Sequence, residues 1–306
     1  MTEKNLIAVE GRKLSLSHLD KIFWPEEGYT KGDLIKYYAE VSPFILEYLW
    51  DRPLVFTRYP QGITGKYFYQ KNAPDYRPEW MRTYMWNSCD RDTLFLTVQE
   101  KAGLVWLANQ ACIEIHPWLS RIESILKPDF IVFDLDPSPG NTFKEVVDIA
   151  WVVKQLLDEL KLKCWIKTSG ASGLHVYVPV LNYYTYEEIR SFAGKLAGIV
   201  NKIKPDISTV DRKVNARGQR IYIDYMQNIR GQTICSPYSV RAVGGAQVST
   251  PIKWEELFDI SPQQFDIKSV IPRLNKYGDC FKGVLHEKQD LSGAIRYLGI
   301  QTAGVR

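Results

Sequence analysis

Residues 129–136 read Asp129-Phe130-Ile131-Val132-Phe133-Asp134-Leu135-Asp136, four apolar residues running into two acids separated by a leucine. Pro137-Ser138-Pro139-Gly140 follows at once. A short apolar run closed by a Pro/Gly turn is the pattern of a buried strand. Side chains alternate along a strand, so Asp134 and Asp136 leave one face while Leu135 points the other way. Two carboxylates held at a strand's C-terminal edge repel each other and favour a cation, and hard oxygen ligands suit Mg²⁺ or Mn²⁺. Two ordinary solvated acids would carry the same letters, so this motif alone leaves both readings open.

Working outward, Thr142 to Leu160 has apolar residues at helical spacing. Cys164 to Lys167 and Leu174 to Val180 read as strands around the turn Ser169-Gly170-Ala171-Ser172-Gly173. Tyr186 to Ile203 is a second helix and Arg220 to Tyr225 a further strand. The order strand, helix, strand, strand, helix, strand predicts an α/β (α+β) core, a split β-α-β unit with a mixed sheet and helices on one face. Asp224 ends the alternating stretch Ile221-Tyr222-Ile223-Asp224, so it shares a face with Tyr222. If that strand lies beside the first, three carboxylates converge, enough for a phosphoryl-transfer metal site; a salt bridge to Arg220 is the plainer alternative. The small-residue turn before His175 offers N–H groups and hydroxyls to an anion, although an ordinary hairpin turn and a core histidine would look the same.

Composition narrows the class. The 306 residues are 45% hydrophobic and 24% charged, globular values that exclude disordered and collagen-like chains. No stretch approaches a membrane span, and the N-terminus lacks the apolar region of a signal peptide. Five scattered cysteines with no C-x-x-C pair predict a reduced, cytoplasmic protein without a cysteine zinc site. Net charge is only +4, but residues 201–241 hold eight Lys/Arg against three Asp, either a solvated face or a phosphate-binding stripe. The absence of G-x-x-x-x-G-K-[ST] argues against a P-loop NTPase.

Elsewhere, Thr30-Lys31-Gly32-Asp33 reads as the cap of a helix over Leu34 to Leu49, which Pro43 should kink or split. Pro53 to Tyr59 and Lys66 to Gln70 read as strands joined by a Gly-containing turn, and Val98 to Ile113 as a helix. Trp254 to Phe258 and Ser292 to Leu298 are short helical patterns expected to pack behind the core.

Several of these stretches together resemble a known family. They are Phe133-Asp134-Leu135-Asp136-Pro137, Thr168-Ser169-Gly170-x-x-Gly173-Leu174-His175 and Ile223-Asp224-Tyr225-x-Gln227-Asn228, with His18-Leu19-Asp20-Lys21-x-x-Trp24-Pro25, Thr30-Lys31-x-Asp33-Leu34, Arg52-Pro53 and Gln70-Lys71-Asn72-Ala73-Pro74 outside the core. The chain is similar, over roughly residues 15 to 300, to the polymerase domain of bacterial ligase D. That domain is part of the archaeo-eukaryotic primase superfamily and works in non-homologous end joining. The resemblance implies a primase-like fold, one polymerase domain over 1–306, and extension of primer 3′ ends to fill short gaps with a preference for ribonucleotides. The chain departs from the family in having no K-x-D-G ligase motif and no room for a ligase or phosphoesterase module, as expected either of a stand-alone polymerase or of an excised domain.

It also implies site residues. Asp134, Asp136 and Asp224 would hold two Mn²⁺ or Mg²⁺ ions. His116, Ser169, Gly170, Ser172, His175, Gln227 and Arg241 would grip the incoming NTP or dNTP. His18, Lys21 and Lys31 would take a downstream 5′-phosphate, Phe68 and Tyr69 would stack on the template, and Arg58 and Arg217 would follow the nucleic-acid backbone. Implied partners are gapped or recessed DNA, a Ku-type end binder and a separate DNA ligase, in the nucleoid and away from any membrane. Ser172 stands where several relatives carry a lysine, which puts one triphosphate contact in doubt. The rival readings are a D-x-D glycosyltransferase, which needs no third acid strand, and a non-catalytic DNA end-binding module, which needs none of the carboxylates.

Overall fold

A computed structural model describes residues 5–88 and 91–300. The chain forms two compact units, one of Met1–Glu123, Thr233–Thr250 and Gln263–Gly278, the other of Ser124–Gln232, Pro251–Pro262 and Asp279–Arg306. The short helices expected near Trp254 and Ser292 are present, at Trp254–Glu256 and Ser292–Tyr297, both in the second unit.

The second unit holds the acid strand, Phe130–Asp136, inside a six-stranded sheet. Across that sheet the strands run Ser208–Thr209, Ile221–Asp224, Phe130–Asp136, Leu174–Pro179, Trp165–Thr168 and Pro251–Ile252. The first pair is parallel and the rest are antiparallel, so the sheet is mixed as expected. Helices Phe143–Glu159 and Tyr186–Ile203 pack on its central strands and on each other. Each starts in a complete capping box, Thr142 with Glu145 and Thr185 with Glu188, which satisfies otherwise orphaned N–H groups. They cover the apolar positions Ile131, Phe133, Leu135, Val176 and Val178, all fully buried. On the acid face, away from Asp134, Phe281 packs edge-on against Tyr177, and just before the strand begins Lys288 pairs with Asp129 at 3.2 Å.

In the first unit, helix Lys31–Leu49 runs unbroken through Pro43. The expected split fails because the carbonyl that Pro43 leaves without a donor, that of Ala39, accepts from the Ser42 hydroxyl at 2.9 Å. The expected helix over Val98 to Ile113 is shorter, Lys101–Asn109. Ala111 turns the chain with φ +60°, and Cys112–Pro117 becomes a strand paired with Leu54–Arg58. Leu54–Arg58 also pairs with Phe68–Gln70, as read from the sequence. Tyr37 and Tyr38 are buried, and their hydroxyls donate to the carbonyls of Tyr238 and Ile113 at 2.8 and 2.6 Å, tying the helix to the sheet and to the 233–250 segment. Cys112, Cys164, Cys235 and Cys280 are free thiols, and Cys89 lies outside the described residues. No described helix is long and apolar enough to cross a membrane.

Candidate functional site

Register builds the centre of the second unit. Asp134 lies opposite Asp224 on one side and His175 on the other, and His175 lies opposite Lys167. In-register neighbours point to the same face, so Asp224, Asp134, His175 and Lys167 form one row across four strands. Lys167 is fully buried beside His175, and the sequence reading did not single it out. His175 Nε2 is 3.2 Å from Asp134 Oδ1. Asp136 stands two residues along, opposite Tyr222.

Ligand atoms of Asp134, Asp136 and Asp224 all lie within 4.8 Å of one another. Asp224 is oriented by three donors: Tyr222 Oη and Met226 N reach its Oδ1 at 3.1 and 2.8 Å, and Gln227 Nε2 reaches its Oδ2 at 3.3 Å. The same Gln227 nitrogen is 3.5 Å from Asp134 Oδ2, and its Oε1 is buried with no hydrogen-bond partner among the described residues. Asn228 explains why the chain turns where it does. Its carboxamide accepts from Val132 N at 2.9 Å and donates to Val132 O at 2.7 Å, standing in for a strand residue just past Asp224. Arg220, the alternative partner for Asp224, instead donates to the carbonyls of Arg217 and Ala216.

Burial, and then the charge of Asp134, push the Asp224 carboxyl above the usual aspartate range, against the N–H of Met226, the Tyr222 hydroxyl and the Arg217 guanidinium. A crowded set of acceptor-only oxygens in that state fits a hard divalent cation, which relieves the repulsion. The triad could therefore hold metal.

The Ser169–Gly173 turn sits against the acid strand, where a Cβ on Gly173 would lie 2.4 Å from the Leu135 carbonyl oxygen. Gly170 takes φ +76°. Ser169 Oγ accepts from Ala171 N and Gly173 N at 3.1 and 3.0 Å, so those two N–H groups are not open to an anion, and Ser172 is exposed.

In the first unit, Glu114 and His116 share a face of the Cys112–Pro117 strand. Glu114 Oε2 is 3.3 Å from His116 Nε2, while Oε1 accepts from Arg241 Nε at 3.0 Å and Ala242 N at 3.1 Å. Burial would raise the Glu114 carboxyl, but the His116 hydrogen bond, the Arg241 guanidinium and the Ala242 N–H outweigh it and hold it at about 2. Glu114 escaped the sequence reading, although an acid two residues before a histidine in an alternating stretch was the available signal. Tyr59 is pushed up to about 12 by burial and by the Glu114 charge.

Lys21 and Lys31 lie close together at the start of the Lys31–Leu49 helix, and the His18 carbonyl accepts from Lys21 N at 3.1 Å. Burial and the neighbouring Lys21 charge lower Lys31 to about 8. Lys31 Nζ donates to Ser17 O and Lys21 Nζ to Gln61 Oε1, both at 2.6 Å. The first helical N–H groups, of Lys31 and Gly32, are taken by Lys21 O and Leu19 O, so an anion here meets side chains and not the helix terminus. Phe68 and Tyr69 are 57% and 56% exposed. Arg58 donates to Gln110 O, Gln70 Oε1 and Tyr76 Oη. Arg217 lies over the Tyr222 ring at 3.9 Å.

Comparison with known proteins places this geometry. A family model described as the LigD primase-polymerase domain matches residues 30–281. The bifunctional non-homologous end joining protein LigD of Bacillus subtilis is 34% identical over 280 residues, 91% of this chain and 45% of that protein. The multifunctional LigD of Pseudomonas aeruginosa is 30% identical over 285 residues, 92% of this chain and 34% of that protein. The chain thus spans less than half the length of these curated relatives. The solved polymerase domain from Mycobacterium tuberculosis ligase D in complex with DNA superposes with a TM-score of 0.83 at 26% identity, covering 90% of this chain and 99% of that one. The primase-like fold expected from the motifs is thereby shown. Since the matched span takes in both acid strands and the turn between them, the chain belongs to the LigD primase-polymerase domain family, a family of nucleotidyltransferases.

Proposed function

We propose that this chain is a template-directed polymerase that adds nucleotides to primer 3′ ends and fills short gaps during non-homologous end joining, and that residues 1–306 act as one polymerase domain. The observation that carries this reading is the Asp134–Asp136–Asp224 triad, whose repulsion a cation would relieve, in a chain of this family. These carboxylates would hold two divalent ions, Mn²⁺ or Mg²⁺. Bound there, the metal supplies Lewis-acid activation of a 3′-hydroxyl and neutralises charge at the α-phosphate. The 3′-hydroxyl would give up its proton to solvent, its oxygen would bond to the α-phosphorus, the bond from that phosphorus to the bridging oxygen would break, and pyrophosphate would leave.

The chain's own side chains do the rest. In the second unit, His175 and Gln227 lie against the Asp134 and Asp224 carboxylates and, with the Ser169 hydroxyl, Gly170 and exposed Ser172, contact the incoming nucleotide. In the first unit, His116 and Arg241 grip the nucleotide, and Lys21, Lys31 and His18 receive a 5′-phosphate. Phe68 and Tyr69 stack on template bases, while Arg58 and Arg217 lie along the backbone. Ribonucleotides are the favoured substrate. A Ku-type end binder and a DNA ligase are the proposed partners, at the nucleoid.

The test is primer extension on a gapped duplex with a 5′-phosphorylated downstream strand, with NTPs or dNTPs and Mn²⁺ or Mg²⁺, beside Asp134→Ala/Asp136→Ala. Metal-dependent addition that disappears in the variant while DNA binding persists supports the proposal. Addition that survives in the variant overturns the metal site, and no addition by the unaltered chain leaves an end-binding module.

A further inference from the structure

We propose that Glu114 is a positioning residue for nucleotide capture, a buried anion that orients both the Arg241 guanidinium and the His116 imidazole toward the triphosphate substrate. This rests on the reading of His116 and Arg241 as nucleotide-gripping residues.

The geometry argues it directly. One carboxylate serves both groups, with Oε1 on Arg241 Nε at 3.0 Å and Oε2 on His116 Nε2 at 3.3 Å. Its side chain is 12% exposed, against 25% for Arg241, so the guanidinium is the more accessible partner and Glu114 acts from behind it. An anion beside a site for a polyanion would repel substrate if it served no other end. A buried ion pair is also a weak source of stability, since apolar residues of similar volume often do as well. What the carboxylate does supply is direction. It fastens the guanidinium through Nε, the atom nearest the flexible stem, and Ala242 N fastens the carboxylate in turn at 3.1 Å.

It also fixes a proton. Glu114 is ionised at every working pH and can only accept hydrogen bonds, so the hydrogen of this contact sits on His116 Nε2. The other ring nitrogen, Nδ1, is then the atom that faces a ligand, and it donates to a phosphate oxygen when the ring carries its second proton. A histidine without this anchor could present either nitrogen.

The experiment compares the full chain with Glu114→Gln, Arg241→Ala and the double variant. The readouts are nucleotide Kd by calorimetry without primer, KM and kcat for extension, affinity for gapped DNA, and Tm. For Glu114→Gln we expect nucleotide Kd and KM to rise about tenfold, the scale seen when a group orienting a ligand-binding residue is lost, with kcat and DNA affinity nearly unchanged. In the double variant the loss should exceed that of Arg241→Ala alone by the His116 share, yet fall short of the sum of the two single losses, because Glu114 acts in part through Arg241. Additive losses, or a Glu114→Gln chain with lowered Tm but unchanged nucleotide Kd, would overturn the positioning role. If Arg241→Ala and His116→Ala both leave nucleotide Kd unchanged, the underlying reading of these residues falls instead. Should Glu114→Gln fail to fold, Glu114→Asp keeps the charge, withdraws it from the guanidinium and must show the same rise.

Discussion

Asp134 and Asp224 sit directly opposite one another on neighbouring antiparallel strands, although 90 residues of chain separate them. Their side chains share a face, and each feels the other's charge, with burial adding to the repulsion at Asp224. Gln227 bridges them with a single nitrogen, which softens the contact without neutralising it.

That repulsion gives stability a sign against pH. The Asp224 carboxyl binds its proton more tightly folded than unfolded, so its contribution is present in acid and lost as pH rises through its raised folded value. With EDTA at neutral pH, Asp224→Asn should melt a few degrees above the unaltered chain, and the gap should close toward pH 4, near the ordinary aspartate value. Added Mn²⁺ should raise the Tm of the unaltered chain and not that of the variant. Extension by Asp224→Asn should fall by at least about 10²–10³-fold. A variant less stable than the parent at neutral pH in EDTA would contradict the electrostatic account.

Tyr222 spaces Asp136 from Asp224 and donates to Asp224 Oδ1 at 3.1 Å. Tyr222→Phe keeps the ring under Arg217 and removes only the hydroxyl. We expect a stability loss of about 1 kcal/mol and Mn²⁺ affinity, read by EPR titration, weakened about tenfold. Unchanged Mn²⁺ affinity would show that Met226 N and Gln227 hold the carboxylate without it.

Lys31 is half-deprotonated at about pH 8, because burial and Lys21 both disfavour its charge. An ammonium that binds phosphate must be charged, so selectivity for 5′-phosphorylated over 5′-hydroxyl gapped DNA should decline as pH rises from 7 to 9. Lys31→Ala should lose about tenfold in affinity for the phosphorylated duplex and nothing for the other. Fluorescence anisotropy on the two duplexes distinguishes this from a general electrostatic role, which would weaken both equally.

Phe68 stands exposed on an edge strand of the first unit's sheet and contributes little to its core. Phe68→Ala should therefore leave Tm unchanged while weakening binding to a template overhang by about 1–3 kcal/mol. An equal loss on blunt duplex would place the ring elsewhere than on unpaired bases.

Much of this site was legible beforehand because its parts are local. Alternation in residues 129–136 places Asp134 and Asp136 on one face whatever surrounds them. Thr30 and Asp33 form the capping box that their spacing announces, since both hydrogen bonds close within one helical turn. Errors arose where a distant contact outweighed a local preference. Cys112–Pro117 follows an apolar stretch that reads as helix, yet pairing with Leu54–Arg58 makes it a strand. Pro43 reads as a helix breaker, yet the Ser42 hydroxyl supplies the missing donor.

The amino-acid sequence alone determined which faces are apolar, where helices begin, and which strand ends carry acids, because each follows from backbone periodicity and bonds spanning a few residues. Tertiary structure alone decided that Asp224 lands opposite Asp134 rather than beside Arg220, that Asn228 plugs the strand edge at Val132, and that Glu114 finds Arg241 across 127 residues. Those pairings depend on strand register, which hydrogen bonding and packing across the whole sheet select and which no local pattern encodes.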